Sequence, residues 1–139
     1  MQTTSTTGGC QCGAVRFALT GQPVMTALCH CTMCRKAHSA PAVAWAMYAE
    51  TQLQWTQGKP KGYLSSADGL RGFCGKCGTP LSFTASYLPD FIDIPIGCMD
   101  EPQSLPPQCQ YWCDEHLPWM HELQTLPKFA AFPPPPPGC

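Results

Sequence analysis

The sequence predicts a mainly β domain of short antiparallel strands with at most one short helix, arranged as a sandwich, barrel or tent. Three observations carry that prediction. Short runs along the chain alternate apolar with polar residues at the two-residue period of a half-buried strand. The chain's 12 glycines and 16 prolines punctuate those runs closely. Charged residues form only 12% of the 139, well below the roughly 25% of an average domain, and a chain of this length has room for one modest core. Something besides that core must hold the fold.

Residues 1–7 are polar and Thr-rich and read as an extension before the domain. Residues 14–20 (AVRFALT) set Val15, Phe17 and Leu19 on one face against Arg16, Ala18 and Thr20 on the other. Gly21, Gln22 and Pro23 then turn the chain into a return strand over residues 24–28. Residues 42–48 (AVAWAMY), 53–55 and 63–65 form the next strands, followed by 70–73, 81–84 and 91–96. The one helix begins near Cys31 and runs through Arg35 and Lys36, a stretch without Gly, Pro or a β-branched run after Thr32. The domain is expected to span residues 8–128. Residues 129–139 contain the proline run 133–137, which cannot donate to a sheet ladder and favours a polyproline II extension. A mobile tail ending in the exposed thiol of Cys139 is the expectation.

The 11 cysteines raise two possibilities, a disulfide scaffold or metal ligation. The polar N-terminus lacks the basic start and apolar run of a secretory signal. No stretch approaches the roughly 18 apolar residues of a membrane span. The chain has no Asn to glycosylate, and its cysteine count is odd. A reducing cytoplasm and metal ligation are therefore expected. A net charge of −1 and a pI near 6.4 supply no basic stripe, so neither nucleic acid nor membrane is expected as a partner.

The cysteines fall into clusters. Cys74-Gly-Lys-Cys77 meets the needs of a zinc knuckle, because a two-residue spacer in a tight turn lets two thiolates face one ion, and Gly75 and Gly78 free the backbone to turn. Cys10-Gln-Cys12, flanked by Gly8, Gly9 and Gly13, is the better candidate for the partner pair. A site of Cys10, Cys12, Cys74 and Cys77 would tie the first strand to the middle of the chain. Such a clamp supplies folding free energy of order 10 kcal/mol. The second cluster, Cys29, Cys31 and Cys34, offers three thiolates and no obvious fourth, the donor count of catalytic zinc. Other readings stay open at this point: His30, His38 or Cys98 could close it as a second structural site, the thiols could be free, or two could oxidise.

Three ordered motifs then carry a family likeness: Gly8-Gly-Cys-Gln-Cys-Gly-Ala-Val-Arg-Phe17, Cys29-His-Cys-Thr-Met-Cys-Arg-Lys36 and Arg71-Gly-Phe-Cys-Gly-Lys-Cys-Gly78. Together with Ile94-Pro-Ile-Gly-Cys-Met-Asp100 and Leu117-Pro-Trp119, they resemble the glutathione-dependent formaldehyde-activating enzyme family, also called the centromere protein V family. The resemblance covers about residues 8–128. It implies a β-tent of short antiparallel strands knitted by zinc, with a structural site at Cys10, Cys12, Cys74 and Cys77. It implies a second zinc, at Cys29, Cys31 and Cys34, in the active site of a carbon–sulfur lyase acting on glutathione-type thiol adducts such as S-hydroxymethyl thiols. Two departures stand out: His38-Ser39 occurs where relatives often carry Gly, and Cys98 replaces the usual Ser.

In that reading Arg35 and Lys36, beside Cys34, supply positive charge for an anionic ligand. His30 is placed to shuttle a proton, with His38 a weaker candidate. Asp100 is read as a turn cap and Trp119 as a packing residue. The competing reading is a non-catalytic zinc-binding module for protein interaction.

Overall fold

A computed structural model describes residues 4–138. Residues 1–3 of the expected extension and Cys139 lie outside them. The described chain is mainly β: β1 (Ser5–Gly9), β2 (Arg16–Thr20), β3 (Met25–Cys29), β4 (Val43–Ala49), β5 (Leu53–Gln57), β6 (Lys61–Leu64), β7 (Gly69–Phe73), β8 (Pro80–Ala85), β9 (Phe91–Pro95) and β10 (Cys109–Tyr111), with the single α-helix α1 (Thr32–His38) after β3. Short 3₁₀ segments, the longest Pro118–Thr125, connect and follow the strands. Residues 129–138 are exposed and enter neither a strand nor a helix.

Two sheets form, one of three strands ordered β1-β2-β5 and one of seven ordered β10-β3-β4-β9-β8-β7-β6. The expected alternation of β2 is observed: Phe17 and Leu19 are buried while Arg16, Ala18 and Thr20 lie outward. Phe17 and Leu19 meet Tyr48 of β4, Leu81 of β8 and Ile92 and Ile94 of β9 in the main core. Each such side chain contributes about 1.5–3 kcal/mol by leaving water.

Two strands were not foreseen, and both owe their existence to pairing rather than to apolar alternation. The stretch Ser5–Gly9, whose residues 5–7 belong to the expected extension, is held antiparallel to β2 from Ser5↔Thr20 to Gly9↔Arg16. It approaches so closely that a Cβ on Gly8 would sit 2.5 Å from the Phe17 ring and 2.6 Å from the Cys98 carbonyl oxygen. The three residues of β10 join the large sheet parallel to β3, with Tyr111 opposite Cys29, an exception to the otherwise antiparallel expectation.

The helix is seven residues long and starts one residue after Cys31, whose Sγ accepts the Cys34 N–H at 3.2 Å as the cap. It ends at Ser39 in the left-handed conformation, φ 50°. That is the position where glycine is preferred, which gives the Ser39 departure a physical meaning.

Candidate metal centres

Two groups of cysteine sulfurs converge, Cys10/Cys12/Cys74/Cys77 and Cys29/Cys31/Cys34, with all ligand atoms of each group within 4.8 Å of one another. The ten described cysteines are all free thiols.

The first group joins two loops of the same design. Each follows a strand or its end, is closed by backbone hydrogen bonds, and turns on a glycine directly after its second cysteine. In one loop Gly13 N–H donates to Cys10 O at 3.1 Å and Gly13 has φ 79°. In the other Gly78 N–H donates to Cys74 O at 2.8 Å and Gly78 has φ 81°. Sulfurs stand 3.6 Å apart between Cys10 and Cys12 and 3.8 Å apart between Cys12 and Cys74. A tetrahedron with zinc–sulfur bonds of about 2.3 Å has edges of about 3.8 Å, so the donor set fits zinc. Backbone N–H groups also aim at the sulfurs, Val15 at Cys10 (3.2 Å) and Lys76 at Cys74 (3.4 Å), as stabilised thiolates require.

Thr79 links the two loops, and no spacing or flanking residue in the sequence marks it for that role. Its hydroxyl accepts the Gln11 N–H at 3.0 Å and donates to Cys77 Sγ at 3.1 Å. That hydroxyl is the leading cause that pulls Cys77 down to about 5.

The second group sits where β3 ends and α1 begins. Cys29 is buried at the end of β3, Cys31 caps the helix, and Cys34 lies one turn in. Hydrogen bonding from the Cys29 thiol, aided by Cys31 and the Arg71 guanidinium, pulls Cys34 down to about 5. The same Cys29–Cys34 contact and burial push Cys29 up. The cluster thus favours one thiolate even before a metal contributes.

The cation at this cluster is Arg71, not Arg35 or Lys36. Arg71 Nη2 lies 3.8 Å from Cys34 Sγ, its Nε donates to Ser65 Oγ at 3.1 Å, and its guanidinium rests 4.9 Å from the Phe83 ring centre. Arg35 instead braces the loop, donating from Nε to the His30 carbonyl at 3.3 Å and from Nη2 to Thr32 Oγ1 at 3.1 Å. Lys36 is exposed and lines a neighbouring groove. Arg71 opens the third cysteine motif, but only sheet pairing brings it to α1.

The other candidates also find definite places. His30 does not join the cysteine cluster: its Nε2 lies 2.8 Å from Gln110 Oε1 and its ring is edge-on to His116. His38 packs edge-on to Trp45, and burial, then Arg71, lowers it to about 4. Cys98 does not approach the second cluster: its thiol donates to Pro95 O at 3.1 Å and packs in the core that holds Cys10. Asp100 is no turn cap but the partner of Arg16. Trp119 is half exposed, over a shallow surface beside Arg35 and Lys36. Among the described residues, no fourth Cys, His, Asp or Glu joins Cys29, Cys31 and Cys34.

A cavity of about 360 Å³ opens over this cluster, lined by Cys31, Cys34, Arg71, Phe83, Tyr111 and Trp112 among others. A three-thiolate set beside a cation and a ligand-sized cavity can hold a metal with one position left for a small molecule.

A mainly β fold with one four-cysteine cluster and a second, three-cysteine cluster at a cavity defines a small protein with two places that could hold a metal ion. The chain belongs to the glutathione-dependent formaldehyde-activating enzyme family, whose model matches residues 5–115. A Halomonas elongata protein named as a candidate glutathione-dependent formaldehyde-activating enzyme is 26% identical over 137 residues, covering 91% of this chain and 87% of that one. A Rhodobacter sphaeroides protein of known crystal structure shares the fold, with a TM-score of 0.60 at 18% identity over 75% of this chain and 98% of that one. Among the described residues no helix is long and apolar enough to cross a membrane.

Proposed function

We propose that this protein is a zinc-dependent carbon–sulfur lyase acting on glutathione-type thiol adducts such as S-hydroxymethyl thiols. The observation that carries the reading is the convergence of Cys29, Cys31 and Cys34, without a fourth donor among the described residues, beside Arg71 and beneath the cavity. Zinc held by those three sulfurs would supply a Lewis acid with an open position for the substrate. In the cleavage direction the carbon–sulfur bond breaks with its electron pair on sulfur, and the hydroxyl proton leaves to water, so RS–CH₂–OH gives RS⁻, CH₂O and H⁺. Arg71 opposes the charge that develops on sulfur. Arg35 keeps the ligand loop in shape through the His30 carbonyl. Cys10, Cys12, Cys74 and Cys77 would hold a structural zinc, and the ten free thiols among the described residues suit a cytoplasmic setting.

The test compares two cysteine replacements in release of formaldehyde from S-hydroxymethylglutathione. Cys31→Ala is expected to abolish release and leave the circular dichroism spectrum unchanged. Cys77→Ala is expected to prevent folding. Equal damage to the fold from both, or release undiminished in Cys31→Ala, would sink the two-role assignment and favour the non-catalytic module.

A further inference from the structure

A further pair of metal-ligating side chains lies outside both cysteine clusters, on the chain that follows β10. His116 Nε2 and His121 Nε2 stand 3.0 Å apart, with ring centres separated by 4.8 Å. Apolar burial does not explain why they meet. His121 is exposed, and the 3₁₀ segment that carries it, Pro118–Thr125, contains no buried residue. Among the described residues, the contact with His116 is the only hydrogen bond from that segment to a residue before Leu117.

The tautomer of His116 follows from its other nitrogen. Nδ1 lies 2.6 Å from the Cys113 carbonyl oxygen, which can only accept, so Nδ1 carries the proton and Nε2 turns its lone pair to His121. A ring tied in this way by a backbone carbonyl is the usual second contact of a metal-ligating histidine, and it raises the basicity of the ligating nitrogen. His30, buried and bonded to Gln110, meets the same ring edge-on at 6.2 Å between centres. His116 is thus oriented before any ion arrives. His121 needs only to place its own proton on Nδ1 for two lone pairs to face one cation.

The separation also says which cation. An ion about 2.0–2.1 Å from each nitrogen would subtend an angle of about 94° between them, whereas tetrahedral zinc would hold them about 3.4 Å apart. Near-right angles belong to tetragonal and octahedral coordination, and imidazole is a ligand that nickel(II) and copper(II) take in such geometries.

We propose that His116 and His121 form a third metal site, for a divalent ion of the nickel or copper class. The ion staples Pro118–Thr125, which makes few other bonds, to the turn at Cys113–Glu115. Both histidines lie beyond the residues that the family model matches, 5–115, and the site is independent of the lyase reading.

The experiment titrates nickel(II) into the zinc-loaded full chain by calorimetry, nickel being chosen because copper(II) would also oxidise free thiols. Absorption is followed in parallel, since thiolate-bound nickel shows intense charge-transfer bands that imidazole-bound nickel lacks. One nickel per chain is expected, without those bands and with zinc content unchanged. His121→Ala, at an exposed position, should weaken nickel binding about a hundredfold through loss of the second donor. Cys113→Ser should leave it unchanged, which separates the imidazoles from the nearby thiol. No uptake, uptake with thiolate bands or zinc release, or a loss of less than about tenfold in His121→Ala overturns the site.

Discussion

Arg71 on β7 places Nη2 3.8 Å from the Cys34 sulfur on α1, across 37 positions of sequence. The guanidinium is locked by Ser65 and by the Phe83 ring, so its charge is aimed rather than merely nearby. Arg71→Met is expected to weaken glutathione binding by the zinc-loaded protein by about tenfold or more, the scale of one charge-assisted contact. Arg71→Lys should recover only part of it, since a point charge lacks the planar fork. Arg35→Met, which loosens the loop without removing the charge beside Cys34, should weaken thiol binding less than Arg71→Met, and isothermal titration of the three variants checks the order.

Thr79 serves both loops of the closed cluster through one hydroxyl. Thr79→Val keeps the shape and removes the bond to Cys77 Sγ. Loss of such outer-shell support commonly costs about 10–100-fold in metal affinity. Competition with a chromophoric chelator should show one of two zinc ions leaving more readily, while the ion at Cys29, Cys31 and Cys34 is unaffected.

Full removal of metal should do more than quench activity. Four thiolates brought together without an ion repel one another, and structural zinc commonly contributes about 10 kcal/mol or more of apparent folding free energy. A strong chelator is expected to unfold the chain under conditions where the zinc-loaded form stays folded, followed by loss of Trp45 and Trp55 burial in fluorescence.

The Arg16–Asp100 pair sets the acid side of stability. Arg16 donates Nη1 to Oδ1 at 2.9 Å and Nη2 to Oδ2 at 2.5 Å, and Thr7 adds its hydroxyl at 2.6 Å. These bonds, Arg16 first, hold the Asp100 carboxyl down at about 2. A lowered folded-state value contributes stability that is present above the ordinary carboxylate value near 4 and lost as pH falls toward 2. Both side chains are about a third or more exposed, 34% and 42%, so solvent screening limits the pair to about 1 kcal/mol. Asp100→Asn should lower stability at pH 7 and flatten its decline between pH 4 and 2 in urea titrations.

Ser39 is the helix C-cap in left-handed backbone, held by its N–H on the Lys36 and Arg35 carbonyls. Ser39→Gly keeps those bonds and removes the Cβ penalty, so a gain of about 1 kcal/mol and a rise of several degrees in Tm are expected. Scanning calorimetry decides it. A fall in Tm would mean that the serine side chain contributes more than the strain removes.

Local chemistry is legible in the sequence. Alternation shows which side of residues 16–20 enters the core, and spacing with flanking glycines points to Cys10/Cys12 and Cys74/Cys77 as tight turns that could hold a metal together. The resemblance of three ordered motifs leads to the family that the match over residues 5–115 shows. Other parts have no local signal. Ser5–Gly9 and Cys109–Tyr111 are strands because β2 and β3 offer backbone partners. Arg71 faces Cys34, Trp112 stands exposed on the cavity, and Cys98 joins the core around Cys10 because sheet order juxtaposes distant segments. Arg35 and Lys36 are adjacent to Cys34 in sequence, yet one braces a loop and the other faces solvent, since neighbours on a helix point in different directions. Which groups can bind metal follows from residue type and spacing alone. Which charge and which aromatic faces meet those groups follows from the folded chain, because backbone pairing makes those contacts through space.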